Sequence, residues 1–301
     1  MSEKYAFIDA EYAETRCAGG AGPTMTAMLA WLGVSKSGYY EWLRRGPSDA
    51  ELRREDLKVK ITKHFDAEGG RYGYRRIHAL LVRQGEIVDD ETVRKLMREL
   101  GLVAVQPKPF RRTTLQDDTE AKVPDRVQRD FTADRPGAKL VGDITYIHTW
   151  EGWLFLATVI DCFNREVIGW AMADHMRTSL VTDALEMAAR NHTLEPKCIM
   201  HTDRGSQYTS EDYAKKIAEL DLLASLGKTG VCWDNALAES FFASLKNERV
   251  HLMTYATRKK AAADIAWYIE MHYNSKRLHS TLGYRTPREI RNQFTRSLEA
   301  A

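Results

Sequence analysis

Three apolar stretches decide the fold of this chain of 301 residues: LVGDITYIH at 140–148, WLFLATVID at 153–161 and REVIGWAMA at 165–173. They are rich in β-branched and aromatic residues, and a Trp-Glu-Gly turn separates the first two, so they predict three antiparallel strands. The pattern then alternates between a helix at 179–191, a strand at 197–201, a helix at 211–220 and a strand at 222–225. This order predicts a mixed α/β domain, followed from residue 235 by a mainly helical segment.

Short helices in pairs are predicted for the first hundred residues. Apolar spacing and capping residues, with Ser35 and either Asp89 or Asp90 among the caps, place helices at 24–32, 36–45, 48–66, 74–83 and 90–100. The first two and the last two helices each give a helix-turn-helix pattern. Many helical hairpins never touch DNA, so the pattern alone leaves both interpretations open. The residues that these units would offer to DNA are Lys36, Tyr40, Arg75, Arg76, Arg94, Lys95 and Arg98.

Composition divides the chain into five segments. Prolines and charged residues without periodicity predict a linker at 105–138. The other segments are an N-terminal helix-turn-helix segment at 1–47, a second helical region at 48–104, the α/β domain at 139–250 and a helical tail at 251–301.

Length and composition exclude several classes of protein. The chain is 44% hydrophobic and 29% charged, which is typical of a folded globular protein. No apolar run reaches the roughly 20 residues of a membrane-spanning helix, and no signal peptide is visible, so a cytoplasmic location without membrane contact is expected. The four cysteines lie far apart without a Cys-x-x-Cys pair, which favours reduced thiols and argues against a zinc finger.

Basic charge is concentrated in two stretches, although the net charge is only +2. Residues 71–112 hold ten lysines and arginines against five acidic residues, and residues 246–301 hold eleven against five. The remainder is therefore acidic. Basic flanks around an acidic middle suit a protein that grips a polyanion and holds metal ions in its centre. Solvated helix faces would give the same counts.

Three carboxylates stand out by their context. Asp143 lies inside an apolar strand, Asp203 ends a short strand in HTDRGSQY, and Glu239 lies on a helix in WDNALAESFFASLKNE. Taken singly, each could have an ordinary role: Asp143 could pair with a buried arginine, Asp203 could cap a turn, and Glu239 could face water. Together, two aspartates on strands and a glutamate on a later helix can bind two Mg²⁺ or Mn²⁺ ions, as in-line phosphoryl transfer requires.

The helix that carries Glu239 has two distinct sides. Lys246 follows Glu239 by seven residues and Asn235 precedes it by four, so all three lie on nearly one face. This face is expected to contact a phosphate backbone, although Lys246 could equally be an ordinary surface lysine. The adjacent stripe, which is expected to pack on the sheet, consists of Leu237, Phe241 and Leu245.

Four motifs carry a resemblance to a known family: GDITYI at 142–147, HTDRGSQYTS at 201–210, DNALAESFFASLKNE at 234–248 and YNSKRLHSTLGYRTP at 273–287. The chain resembles the IS-three family of insertion-sequence transposases, relatives of retroviral integrases, over nearly its whole length. The 35 residues between Asp203 and Glu239 match the Asp, Asp, thirty-five, Glu spacing of that group. The His-His-Cys-Cys zinc site of retroviral integrases has no counterpart here, which favours the bacterial branch.

The resemblance implies a fold and a set of site residues. The expected fold is an α/β ribonuclease H-like catalytic core, a mixed five-stranded sheet with flanking helices, preceded by an all-α helix-turn-helix region. Asp143, Asp203 and Glu239 would be the metal-binding catalytic triad, and Lys246 would contact the end of the transposon DNA. Asn235 belongs to the same motif without an assigned step. Two roles stay open: Asp161 could support the metal ligands from behind or be a structural carboxylate, and the tail could contact DNA or pack on the core.

The same resemblance implies a reaction and its partners. A metal-activated water would free a 3′-hydroxyl at the element's end, and this hydroxyl would attack another phosphodiester. The partners would be double-stranded DNA of the transposon ends and target on the bacterial nucleoid, further copies of the chain, and the helix-turn-helix product of an upstream frame, separate or fused. Two alternatives remain: a DNA-binding regulator or remnant without catalysis, and a metal-dependent nuclease without strand transfer.

Overall fold

The computed structural model describes residues 2–17, 22–105, 123–227 and 235–300. Six helices come first: α1 Ser2–Cys17, α2 Met25–Trp31, α3 Lys36–Arg45, α4 Asp49–Ala67, α5 Tyr74–Arg83 and α6 Asp90–Glu99. The α/β domain follows with β1 Lys139–Thr149, β2 Gly152–Asp161, β3 Val167–Ala173, α7 Thr178–Asn191, β4 Ile199–Thr202, α8 Glu211–Glu219 and β5 Leu223–Leu226. The last part contains α9 Ala236–Glu248, α10 Arg258–Trp267, a π-helical turn Tyr268–Tyr273 and α11 Pro287–Glu299.

The sheet has five strands in the order β3-β2-β1-β4-β5. Strands β1, β2 and β3 pair antiparallel, whereas β4 is parallel to β1 and β5 is parallel to β4. The predicted mixed five-stranded sheet with flanking helices, which is the ribonuclease H-like arrangement, is therefore confirmed. The strand β1 lies at its centre.

Apolar side chains fill both faces of this sheet. On one face, α9 and α10 pack through Phe241, Leu245 and Ile265 against strand residues such as Leu156. The other face is covered by α7 and α8. Helix α7 comes so close to β3 that a Cβ added at Gly169 would lie 2.2 Å from the carbonyl oxygen of Ala184. Only a glycine permits this approach.

The first helices form a small bundle of their own. Its core contains Ile8, Leu29 and Tyr39. The predicted cap is confirmed, because the Ser35 hydroxyl accepts a hydrogen bond from the Gly38 amide at 3.1 Å. Helix α1 was not predicted, since Tyr5 and Ile8 are the only buried residues among positions 3–17, whose side chains the structure describes, and they give little helical periodicity.

The second helical region, α4 to α6, is joined to the C-terminal tail. Leu278 of the tail is buried in the same apolar cluster as Ile77 of α5 and Leu96 of α6. The hydroxyl of Tyr72 accepts a hydrogen bond from the Leu278 amide at 3.0 Å, and Arg83 donates to the Tyr284 carbonyl at 3.0 Å. The tail thus packs on the second helical region, and a DNA contact of the tail stays a prediction.

The segment that the sequence predicted as a linker divides into two parts. Residues 106–122 lie outside the described residues. Residues 123–138 pack against the α/β domain: the Arg126 amide donates to the Ser225 hydroxyl at 2.8 Å, and Val127 is buried. The apolar residues at 123, 127 and 131 pack on the domain, but they are few among the prolines and charged residues of this stretch, so its composition predicted a linker. None of the described helices is long and apolar enough to cross a membrane.

Replacing Leu278 with alanine is expected to destabilise the helical region by about 2–5 kcal/mol, the range for removing a buried leucine side chain. Hydrogen exchange of the α5 and α6 amides measures the change. The matched control is Leu298→Ala in α11, where the side chain is 63% exposed and a change below about 0.5 kcal/mol is expected. Equal exchange in both variants would contradict the docking of the tail.

Candidate active site

Two of the predicted carboxylates lie side by side because of the strand pairing. The register of the parallel strands β1 and β4 pairs Val141 with His201. Asp143 is two residues beyond Val141, and Asp203 is two residues beyond His201, so the register brings the two carboxylates near each other and the charge of Asp203 acts on Asp143. Strand β4 ends at Thr202, so Asp203 begins the loop that leaves the sheet at this point.

Charge repulsion and burial act together on Asp143. Burial, followed by the negative charges of Asp203 and Glu239, raises the pKa of Asp143 to about 8. A hydrogen bond of 2.7 Å from the Ile144 amide and the positive charge of Lys246 favour the ionised form but do not outweigh these effects. Burial and like charge thus perturb the pKa of Asp143 strongly, as is common at functional sites.

The other two carboxylates are more open to solvent. Partial burial raises the pKa of Asp203. A hydrogen bond of 3.0 Å from the Gly205 amide and the charge of His201 lower this pKa and so offset part of the rise. Burial also raises the pKa of Glu239, on the exposed side of α9. In the described part of the chain, no three His, Cys, Asp or Glu side chains converge closely enough to form a complete metal-binding group. Residues 228–234, which lead into α9, lie outside the described residues.

Helix α9 is oriented as its sequence predicts. Leu237, Phe241 and Leu245 are buried against the sheet, as expected from their spacing. Glu239 is exposed and Lys246 is half-buried. The ammonium of Lys246 lies 5.1 Å from the ring centre of Tyr146, and burial lowers the pKa of Lys246 while the charge of Asp143 acts in the opposite direction.

The position of Asn235 does not suit a DNA contact. Its side chain is buried, and its amide donates a 3.2 Å hydrogen bond to the carbonyl of Gly142. This bond ties the start of α9 to β1, one residue before Asp143. The helical-phase argument failed at Asn235 because its backbone angles (φ −133°, ψ 33°) place it before the first helical turn.

A buried ion cluster that the sequence analysis missed fixes the other end of α9. The carboxylate of Glu248 accepts hydrogen bonds from Arg277 at 2.7 and 2.9 Å and from the Tyr268 hydroxyl at 2.9 Å. A guanidinium nitrogen of Arg76 lies 3.5 Å away. Burial alone would raise the pKa of Glu248, but His272, Arg277 and Arg76 outweigh it and hold this pKa well below its usual range. One signal for this cluster was present in the sequence: Glu248 lies in the motif at 234–248 and Arg277 lies in the motif at 273–287.

Arg76, which the sequence analysis assigned to DNA, belongs to this cluster. Its guanidinium also donates to the carbonyl of Leu278 at 3.0 Å, so it joins α5 to the tail. The prediction failed because the charge of Arg76 is matched by Glu248, which is 172 positions further along the chain. Spacing within a helix cannot reveal such a partner.

The remaining predicted DNA contacts lie at the surface. Lys36, Tyr40, Arg75 and Arg98 are exposed. Lys95 is also exposed, with its ammonium 4.0 Å from Glu91. Arg94 is held by Glu91 through two hydrogen bonds of 2.6 Å.

Asp161 has a structural place. Its carboxylate accepts hydrogen bonds from the amides of Gly137 at 2.8 Å and Phe163 at 2.9 Å, so it closes the turn beside the start of β1. Burial raises the pKa of Asp161 to about 6, although the two amide hydrogen bonds act against this rise.

Comparisons with known proteins agree with this architecture. Two family models, both described as an integrase core domain, match residues 133–232 and 221–287, and a model described as an HTH-like domain matches 51–110. The chain is 36% identical over 292 residues to the transposase InsF for insertion sequence IS3A of Escherichia coli, covering 96% of this chain and 99% of that protein.

Two further similarities complete the comparison. An uncharacterized 31 kDa protein of insertion element IS600 from Shigella sonnei is 37% identical, over 89% of this chain and 98% of that protein. Among solved structures, the HTLV-2 integrase catalytic core domain in complex with magnesium is 16% identical with a TM-score of 0.40, covering 52% of this chain and 97% of that one.

Replacing Glu248 with glutamine is expected to lower the free energy of unfolding at pH 7 by about 3–5 kcal/mol, because Arg277 then stays buried without its counter-charge. The folded-state pKa of Glu248 lies below the unfolded value of about 4.3. Its contribution is therefore fully present above about pH 5 and is lost as the pH falls through the lower folded value.

Urea unfolding of wild type and Glu248→Gln at several pH values checks this expectation. The stability difference should stay constant from pH 7 to pH 5 and shrink in more acidic solution. The matched control is Glu299→Gln at the exposed end of α11, which should leave the free energy of unfolding unchanged at every pH. A difference that grows with acidity would contradict the role of the Glu248 carboxylate.

Proposed function

The chain belongs to the IS3 family of DNA transposases with an integrase-type core, and we propose that Asp143, Asp203 and Glu239 are its catalytic triad. The observation that supports the proposal is the register of the parallel strands β1 and β4, which brings Asp143 on β1 near Asp203, the first residue after β4. The strand register brings Asp143 and Asp203 near each other, and Glu239 of α9 is close enough for its charge to act on Asp143.

The chemistry of these side chains fits divalent cations. They offer hard oxygen donors, and burial together with the negative charges of Asp203 and Glu239 raises the pKa of Asp143. We propose two ions, Mg²⁺ or Mn²⁺, held by Asp143, Asp203 and Glu239. When bound, such a pair activates the attacking oxygen and stabilises the leaving oxygen of a phosphoryl transfer.

The protein residues around the triad hold and orient the DNA. Lys246 lies on the same helix as Glu239 and, in this proposal, neutralises a phosphate at the end of the element. Asn235 and Glu248 fasten the two ends of this helix and so keep Glu239 and Lys246 in a fixed relation to β1. Exposed cations of the helical region, such as Arg75, Lys95 and Arg98, would bind the phosphates further along the duplex.

The proposed reaction has two steps on DNA. Hydrolysis frees a 3′-hydroxyl at the end of the element, and this hydroxyl then attacks a second phosphodiester and displaces its 3′-oxygen. Neither step requires a covalent bond to the protein. We propose that several copies act together, because two DNA ends must be joined, and that an upstream-frame partner supplies additional DNA binding. The substrate would bring the protein to the bacterial nucleoid.

The triad is tested with labelled DNA that carries the terminal repeats of the element, incubated with the full chain and Mg²⁺. We expect joined strand-transfer products from the wild type and a loss of more than about 100-fold for Asp203→Asn, as for other losses of transition-state stabilisation. The matched control is Asp212→Asn, an exposed carboxylate on α8, which should leave joining unchanged. Cleavage without joining would replace the transposase mechanism with that of a nuclease.

Lys246→Ala is expected to weaken the binding of a duplex DNA end and to reduce the slope of log K against log salt by about one. The effect should not depend on sequence, because the contact is with phosphate. Lys246→Arg keeps the charge and should keep the slope. Fluorescence anisotropy at several salt concentrations measures both, and an unchanged slope for Lys246→Ala would remove Lys246 from the DNA contact.

A further inference from the structure

A pocket of about 370 Å³ opens beside Lys246, in the size range of ligand sites. Strands β1 and β2, the end of α9 and the segment before α10 form its walls. The lining residues that matter for its chemistry are Tyr146, His148, Trp150, Trp153, Lys246 and His251.

Large aromatic rings in this pocket face solvent. Trp150 is 73% exposed, Tyr146 is 56% exposed and Trp153 is 47% exposed. Tyr146 and Trp153 touch edge to face, with ring centres 5.0 Å apart. Clusters of exposed aromatic side chains are typical of binding surfaces, because a folded protein usually buries large apolar rings in its core.

Positive and hydrogen-bonding groups surround these rings. The ammonium of Lys246 lies 5.1 Å from the ring centre of Tyr146, and the pocket also has the imidazoles of His148 and His251 on its walls. None of the described residues that line it is acidic. Aromatic faces next to a cation are the composition with which proteins bind unpaired nucleotides, since the rings stack on bases and the cation binds phosphate.

The pocket lies along two elements that also carry the proposed triad. Tyr146 follows Asp143 by three residues of β1, a distance of roughly 10 Å at about 3.3 Å per residue. Lys246 follows Glu239 by seven residues of α9, which again spans roughly 10 Å at about 1.5 Å per residue. Both separations place the pocket within a few nucleotides' length of the proposed triad.

We propose that this pocket binds an unstacked base of the DNA strand that enters the active site. The base stacks on Trp150 and Trp153, and Lys246 binds the adjoining phosphate. This inference rests on the proposed function, because the triad determines where the strand runs. Stacking in the pocket offsets part of the free energy needed to open the end of the duplex.

The probe is a short single-stranded oligonucleotide that carries one 2-aminopurine, compared with the same strand in a blunt duplex. Both are added to the full chain without divalent metal. We expect stacking to quench the 2-aminopurine of the single strand. Trp153→Ala should bind the single strand roughly 10-fold more weakly, and Trp153→Phe should restore most of the binding, whereas Trp153→Leu should not.

Two variants guard this test against simple loss of structure. Trp150→Ala removes a highly exposed ring that the core does not need, and it should also reduce quenching. The matched control is Trp267→Ala in α10, where the ring is 45% exposed outside the pocket, and this variant should bind as the wild type does. Unchanged binding and quenching in both Trp150→Ala and Trp153→Ala would overturn the proposal.

Another result would assign the pocket to a different occupant. If Trp153→Ala altered the sedimentation of the protein and left oligonucleotide binding intact, the surface would be a contact between copies and the proposal would fall. The assay needs neither metal nor DNA joining. If Asp203→Asn joined DNA as well as the wild type while the quenching still depended on Trp153, the proposed triad would be refuted and the pocket would stand.

Discussion

The buried carboxylate of Glu248 joins three parts of the chain: the α/β domain, the C-terminal tail and the second helical region. It ends α9, receives Arg277 from the tail and the Tyr268 hydroxyl from the π-helical turn, and lies 3.5 Å from Arg76 of the helical region. A carboxylate in this position without cations would destabilise the fold by several kcal/mol, so all these parts must be in place together. The helix that carries Glu239 is thus held by residues far outside the α/β domain.

The opposite end of this helix lies near carboxylates of like charge. On that side, burial and then the negative charges of Asp203 and Glu239 raise the pKa of Asp143. A protein that optimised stability alone would not retain such a group in a central strand. The ion cluster around Glu248 thus holds one end of the helix that carries Glu239 of the proposed triad.

Much of this architecture could be predicted because it depends on local patterns. Strands β1 to β3 follow from their β-branched residues, and the buried stripe of α9 follows from the spacing of Leu237, Phe241 and Leu245. The partner of Arg76 could not be predicted, because pairing with Glu248 depends on how distant segments fold together. Asn235 shows the other limit, since a residue just before a helix does not share the phase of that helix.

The place of Leu278 in the core of the second helical region has a consequence for how the protein is made. Tyr72 and the Leu278 amide to which it bonds are 206 residues apart in the chain. The helical region is synthesised early, but its core lacks this side chain until nearly the whole chain has left the ribosome. Contacts of such long range slow folding and disfavour domain-by-domain completion during synthesis. A chain interrupted before the tail would therefore carry a predicted DNA-binding region with a gap in its core.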